Sequence, residues 1–229
     1  FFQNKEAAHL LKQCVKQLTA LEDQTGVCIH LDIETEPGCR LQRSEDVSTF
    51  INTYFDDDEV ARKYLRICHD TCHGAVMHEN VEEAIANYKE AGLSIGKGQL
   101  SSAIEVDFDK EKKTAVINDL QSIAEPKYLH QTTIQDGGCL TFYENLSEVP
   151  MNNPSGVWRV HFHVPIHLEK FGALSTTQKT LQHDITALLE EGVTQWEVET
   201  YTWDVVPTTM RTGELVDSIS KELSWAAGH

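Results

Sequence analysis

The sequence predicts an α/β fold of parallel βαβ units arranged as a (β/α) barrel. Segments of helical and of strand periodicity alternate five times, with no two-residue hairpin turn between strands. That pattern belongs to a parallel sheet with helices packed on it. The strand-like segments also end in acidic, amide or imidazole residues, where a parallel barrel gathers its functional groups. At 229 residues and 40% apolar, the chain is long enough for one barrel-sized domain spanning 1–229, and it contains no visible linker or repeat.

Taken in order, residues 5–23 place Ala8, Leu11, Val15, Leu18 and Leu21 at three- and four-residue intervals, which predicts a helix. VCIHLDIE (27–34) alternates strictly, with Val27, Ile29, Leu31 and Ile33 on one face of a strand, and TEPG turns the chain. Ser44 or Asp46 caps a second helix that runs to about Phe55. YLRICHD is the second strand; Val81–Ala91 is a helix stopped at Gly92. LSIGKGQLSSAIEV reads as one strand region interrupted by Gly96 and Gly98, and 114–124 reads as a helix. Residues 125–157 are a less regular insertion holding the turn sequences DGG and NNPSG. WRVHFHVPI (158–166) is the fourth strand, followed by a helix over Gln178–Glu191, a strand over WEVETYTWDVV (196–206) and a closing helix over Glu214–Trp225. Five units are too few for an eight-stranded barrel, so this reading places roughly three strands before Phe1.

Composition narrows the function classes. With 19 Lys and Arg against 36 Asp and Glu, the net charge of −17 repels phosphate backbones and argues against a nucleic-acid partner. No apolar run reaches the ~18–20 residues of a membrane span. The six cysteines (14, 28, 39, 68, 72 and 139) read as reduced thiols of a cytoplasmic protein, with Cys68 and Cys72 as packing thiols. His69 and His78 read as solvent-facing or supporting residues.

The strand ends carry Glu34; Asp70, with His73 one turn on; Gln99; His161 and His163; and Glu197 and Glu199. His161 and His163 share a face, as do Glu197, Glu199 and Tyr201. Carboxylates and imidazoles aimed together into a barrel mouth repel one another unless a cation sits among them. A mixed oxygen and nitrogen set suits Mn²⁺, Zn²⁺, Fe²⁺ or Co²⁺.

Several of these motifs match a known superfamily. CHDTCH resembles the endonuclease IV run in which Asp and His bind metal; ETEPG and VETYTW resemble strand-ending metal glutamates; HFH stands where a D-x-H pair would. The chain thus resembles the xylose-isomerase-like TIM barrels, which include sugar isomerases, epimerases and the endonuclease IV group. LDIETEPG, CHDTCH, YLHQTT, RVHFHVP and WEVETYTW together are similar to the EboE-type metabolite-traffic branch. The resemblance covers most of residues 25–206. It implies metal ligands at Glu34, Asp70, His73, Gln99, His161, His163 and Glu199, with His161 in place of an Asp and Gln99 in place of a His.

Three functions compete. The first is a metal-dependent isomerase or epimerase of a small polyhydroxylated metabolite, with Glu34 and Glu199 as proton-moving groups and His73, His130 and Arg159 orienting hydroxyls. The second is an endonuclease IV-like phosphodiesterase, which the charge opposes. The third is a metabolite-binding barrel without catalysis, since a fold alone does not define activity.

Overall fold

A computed structural model describes residues 2–56, 58–110, 113–208, 211 and 213–229. In chain order the elements are α1 (Phe2–Thr25), β1 (Leu31–Glu34), α2 (Ser44–Tyr54), α3 (Glu59–Tyr64), β2 (Leu65–Asp70), α4 (Thr71–Val76), α5 (Val81–Glu90) and β3 (Ile95–Leu100). There follow β4 (Ile104–Asp107), α6 (Lys113–Ile123), β5 (Thr132–Asp136), β6 (Cys139–Tyr143), β7 (Val157–Val160), β8 (Lys170–Phe171) and β9 (Leu174–Thr176). The chain closes with α7 (Gln178–Glu190), β10 (Trp196–Val198) and α8 (Leu215–Ala226).

The strands form two sheets. The first is parallel, in the order β1-β2-β3-β10; the second is antiparallel, in the order β6-β5-β7-β4-β9-β8. The α/β class and the parallel βαβ units are therefore present, but the described strands do not close into a barrel. β1 and β10 are the open edges of the parallel sheet, and Val27 and Ile29, predicted as strand, lie outside β1 and are 57% and 47% exposed. Four parallel strands give only part of the curvature that closure requires.

The antiparallel sheet has a local cause that the sequence reading missed. Asp136-Gly137-Gly138-Cys139 joins β5 to β6 as a two-residue hairpin, with both glycines at positive φ (+54° and +82°). A tight hairpin of this kind favours left-handed backbone at both central positions, and glycine supplies it without a Cβ penalty. The third predicted strand also divides: β3 ends at Leu100, and after Ser101-Ser102-Ala103 the chain enters the other sheet as β4. Side chains replace the ladder at this step. Ser101 N donates to Thr71 Oγ1 (3.0 Å) and Ala103 N to Thr177 Oγ1 (2.9 Å). Likewise only Trp158–Val160 of the fourth predicted strand is regular, within β7; beyond it His161 N donates to the Gln131 carbonyl and Val164 N to the Ser102 carbonyl. The fifth stops at Val198, and Tyr201–Asp204 is a 3₁₀ turn.

The helices follow the sequence closely. α1 buries Ala8 and Val15 in a core with Phe50, Ile51, Phe55, Tyr64, Leu65 and Ile67. Asp46 accepts the Gln42 and Arg43 amides and so fastens the start of α2, whereas Ser44 is turned inward to Glu79. Asp58, Asp70 and Asn80 cap α3, α4 and α5 through the amides of Ala61, His73 and Glu83. A second core, of Trp158, Phe108, Phe162, Leu120 and Ile123, lies under the antiparallel sheet. Among the described residues no helix is long and apolar enough to cross a membrane.

α7 carries a buried acid, Asp184. Burial, then the Glu82 charge, pushes it up to about 8, against a weaker opposing pull from Arg159. The folded-state value exceeds the usual 3.8, so its stabilising contribution is complete below that value and is lost as the pH rises towards 8. Each pH unit inside the window costs about 1.4 kcal/mol. Asp184→Asn is expected to raise the melting temperature more at pH 8 than at pH 5, in thermal melts recorded at both values.

Candidate metal centre

The parallel ladder aligns three carboxylates. Glu34 ends β1 opposite Cys68, Asp70 ends β2 opposite Gln99, and Glu199 extends the β10 ladder by donating its N–H to the Leu100 carbonyl. One oxygen from each of Glu34, Asp70 and Glu199 lies within 4.8 Å of the other two. The Gln99 Nε2 sits among them, 3.0 Å from Glu34 Oε1, 3.1 Å from Asp70 Oδ2, and hydrogen-bonded to Glu199 Oε2. Asp70 forms the buried floor, while the side chains of Glu34 and Glu199 are 35% and 34% exposed and leave an approach from solvent.

Three imidazoles lie beside the carboxylates. Asp70 caps α4 by accepting the His73 N–H at 2.8 Å, and this cap fixes His73 over the sheet. His161 and His163 project from the irregular run after β7. Each ring donates its Nδ1–H to an oxygen: His73 to the Thr35 carbonyl (2.9 Å), His161 to Gln131 Oε1 (2.8 Å) and His163 to the Glu199 carbonyl (2.9 Å). The Nε2 atoms therefore turn toward one another, with that of His161 3.2 Å from those of both His73 and His163. Holding one ring nitrogen to an oxygen acceptor is how a metal-binding histidine keeps its other lone pair free. A proton on His73 Nε2 satisfies one of the two contacts, but His161 and His163 still set lone pair against lone pair.

The electrostatics express the same crowding. Burial works to lower His73, yet Asp70, then Glu34, hold it up at about 9. Burial, then the neighbouring His73 and His163, push His161 well down; burial also lowers His163, against the pull of Asp70. Burial works to raise Asp70 too, but His73, His163 and the bonds from the His73 N–H and the Ser101 hydroxyl hold it well below the ordinary carboxylate range. Glu199 is raised to about 7 by burial, then by Asp70 and Glu34.

The structure thus gathers all seven proposed ligands, Glu34, Asp70, His73, Gln99, His161, His163 and Glu199. The remaining sequence candidates fall elsewhere. Glu197 pairs with Lys97. His130 is buried, donates Nδ1–H to the His161 carbonyl at 3.2 Å and sets Nε2 3.3 Å from Glu125, so it braces the His161 backbone rather than facing a substrate. Arg159 is held by Glu105 at 2.8 Å and by the Ala75 carbonyl at the end of α4, at 2.7 Å, and so ties β4, β7 and α4 together. His69 is not at the solvent face but buried, edge-on to Tyr88.

Four contributors escaped the sequence reading. Cys72 groups with His161 and His163, and Glu36 with His73 and His161, each set with its ligand atoms within 4.8 Å. Ser101 Oγ donates to Asp70 Oδ1 at 2.8 Å and accepts the Cys72 N–H. Tyr201 lays its ring against His163, with 4.6 Å between centroids. The SS pair after GQL was the available signal for Ser101, since small hydroxyl residues directly after a strand often bond to neighbouring backbone. Comparisons with family models, with curated proteins and with solved structures gave no match.

Removing the Ser101 hydroxyl strips Asp70 of a donor and leaves the Cys72 amide unpaired in a buried setting. Ser101→Ala is expected to lose about 1–3 kcal/mol of stability, read as a lower urea midpoint with an unchanged slope.

Proposed function

We propose that this chain is a divalent-metal-dependent isomerase or epimerase of the xylose-isomerase-like type, acting on a small polyhydroxylated metabolite. The observation that carries the reading is the meeting of three strand-end carboxylates around one amide nitrogen, beside three imidazoles whose Nε2 atoms face one another. Buried acids are stable only when paired or ligating. Here, among the described residues, the ion pairs of Glu34 and Asp70 run to His73 and that of Glu199 to His163, at 3.2, 3.8 and 3.7 Å. The donor set fits a divalent ion.

In this reading Glu34, Asp70, Gln99 and Glu199 hold the cation, with the histidines at its flank. A bound divalent ion supplies Lewis acidity, polarising a carbonyl or lowering the pKa of a substrate hydroxyl. Glu199, on the solvent-open side of the cluster, is placed to give and take a proton. His73, its Nδ1–H held by the Thr35 carbonyl, turns Nε2 to a substrate oxygen. The parallel sheet is then an arc of a barrel whose strand ends form the mouth.

One observation favours a second reading, a phosphodiesterase akin to endonuclease IV: His73 of the DTCH run meets His161 and His163, as a centre gripping phosphate with several metals would need. The net charge of −17 weighs against a DNA substrate.

Elemental analysis and titration with Mn²⁺, Zn²⁺, Fe²⁺ and Co²⁺ test the first reading. Wild-type protein is expected to retain a divalent metal, and Glu34→Gln or Glu199→Gln to weaken binding by more than the ~10–100-fold typical of supporting residues. Equal metal content in wild type and both variants would refute it. Cleavage of abasic-site DNA by the metal-loaded protein would instead favour the phosphodiesterase.

A further inference from the structure

Gln99 makes contacts that an ordinary side-chain amide does not. Its Nε2 carries two hydrogens, yet three carboxylate oxygens from three strands lie within bonding range of that one atom. Gln99 as a residue is 5% exposed, and its Oε1 accepts from the thiol of Cys68, at 3.4 Å. The opposite orientation would set Oε1 against three anionic oxygens, so the carboxylates themselves dictate which way the amide faces. An uncharged donor with a partial positive charge thus stands at the point where the charges of Glu34, Asp70 and Glu199 meet.

We infer that Gln99 is the centre's built-in cation surrogate: its NH₂ takes the cation's place among the three carboxylates in the metal-free protein, as a hydrogen-bond donor, and must turn away when a divalent ion binds. The inference rests on the metal reading above and concerns how the same site is kept folded and how it selects its ion. A half-turn of the terminal amide brings Oε1 toward the carboxylates and the NH₂ toward the Cys68 sulfur, exchanging one hydrogen bond for another at that end. With Oε1 turned inward the carboxylate pocket offers oxygen donors only, a set that suits harder ions such as Mn²⁺ or Mg²⁺ better than an imidazole-containing one. The nitrogen donors are gathered separately, in the trio of His73, His161 and His163.

Two variants and one spectroscopic probe decide the matter. Gln99→Lys places a permanent ammonium at the amide's position; the chelator-treated variant is expected to melt at or above the wild-type temperature and to show no Mn²⁺ binding by calorimetry. Gln99→Leu keeps the bulk and removes the donors; its metal-free melting temperature is expected to fall by several degrees, and Mn²⁺ to raise it by more than it raises the wild type. In ¹⁵N spectra of wild-type protein, the side-chain NH₂ pair assigned to Gln99 is expected to shift saturably on Mg²⁺ addition. Wild-type binding of Mn²⁺ combined with undiminished binding by Gln99→Lys, or with an unmoved Gln99 NH₂ pair, would overturn the surrogate role and leave the metal centre standing. If wild-type protein takes up no metal, both readings fall together. Should Gln99→Leu not fold, Gln99→Lys and the spectra still separate these outcomes.

Discussion

The carboxylate of Asp70 is the interaction on which the rest depends. It is almost wholly buried at the end of β2, and each of its oxygens is used. Oδ1 accepts the His73 N–H and the Ser101 hydroxyl, and Oδ2 accepts the Gln99 amide. One residue thereby ends a strand, starts α4, ties that helix to the end of β3, and sets the floor of the proposed centre. A carboxylate so deeply desolvated is tolerable only because donors reach it from several directions. Position and chemistry are inseparable here, since the bond that caps the helix is also the bond that aims His73.

Much of this was legible in the sequence, for reasons that differ from element to element. The helices α1, α5, α6, α7 and α8 carry sustained apolar periodicity, and Gly92 and Gly192 mark two ends. The residues of the proposed centre stood out because they sit at or beside strand ends, where Glu34 and Asp70 follow apolar runs. The antiparallel sheet was not. DGG read as a generic turn, although two adjacent glycines between the extended runs 132–136 and 139–143 favour a hairpin. The split of 95–107 between two sheets was hidden too, because it depends on Thr71 and Thr177, which are distant in sequence from Ser101 and Ala103. The protein contacts of His130 and Arg159 were hidden for a related reason. Their partners, Glu125, Glu105 and the Ala75 carbonyl, are set by tertiary packing, and no local pattern announces them.

Within the centre, donors sort by element. Oxygens come from the parallel sheet, whose strand ends converge because the ladder is in register. Nitrogens come from α4 and from the irregular run 161–163, which leaves the antiparallel sheet where its ladder stops. Breaking the fourth predicted strand at Val160 lets His161 and His163 aim at His73 while their Nδ1 atoms stay bonded. The irregularity is part of how the imidazoles are presented.

The seryl step between β3 and β4 has a wider meaning. Because one continuous stretch of backbone belongs first to the parallel and then to the antiparallel sheet, and because hydroxyls of Thr71 and Thr177 clasp it from either side, neither half can loosen without tugging on the other. The step thereby couples the two halves, and what steadies Asp70 through Ser101 bears also on the antiparallel sheet that begins three residues later.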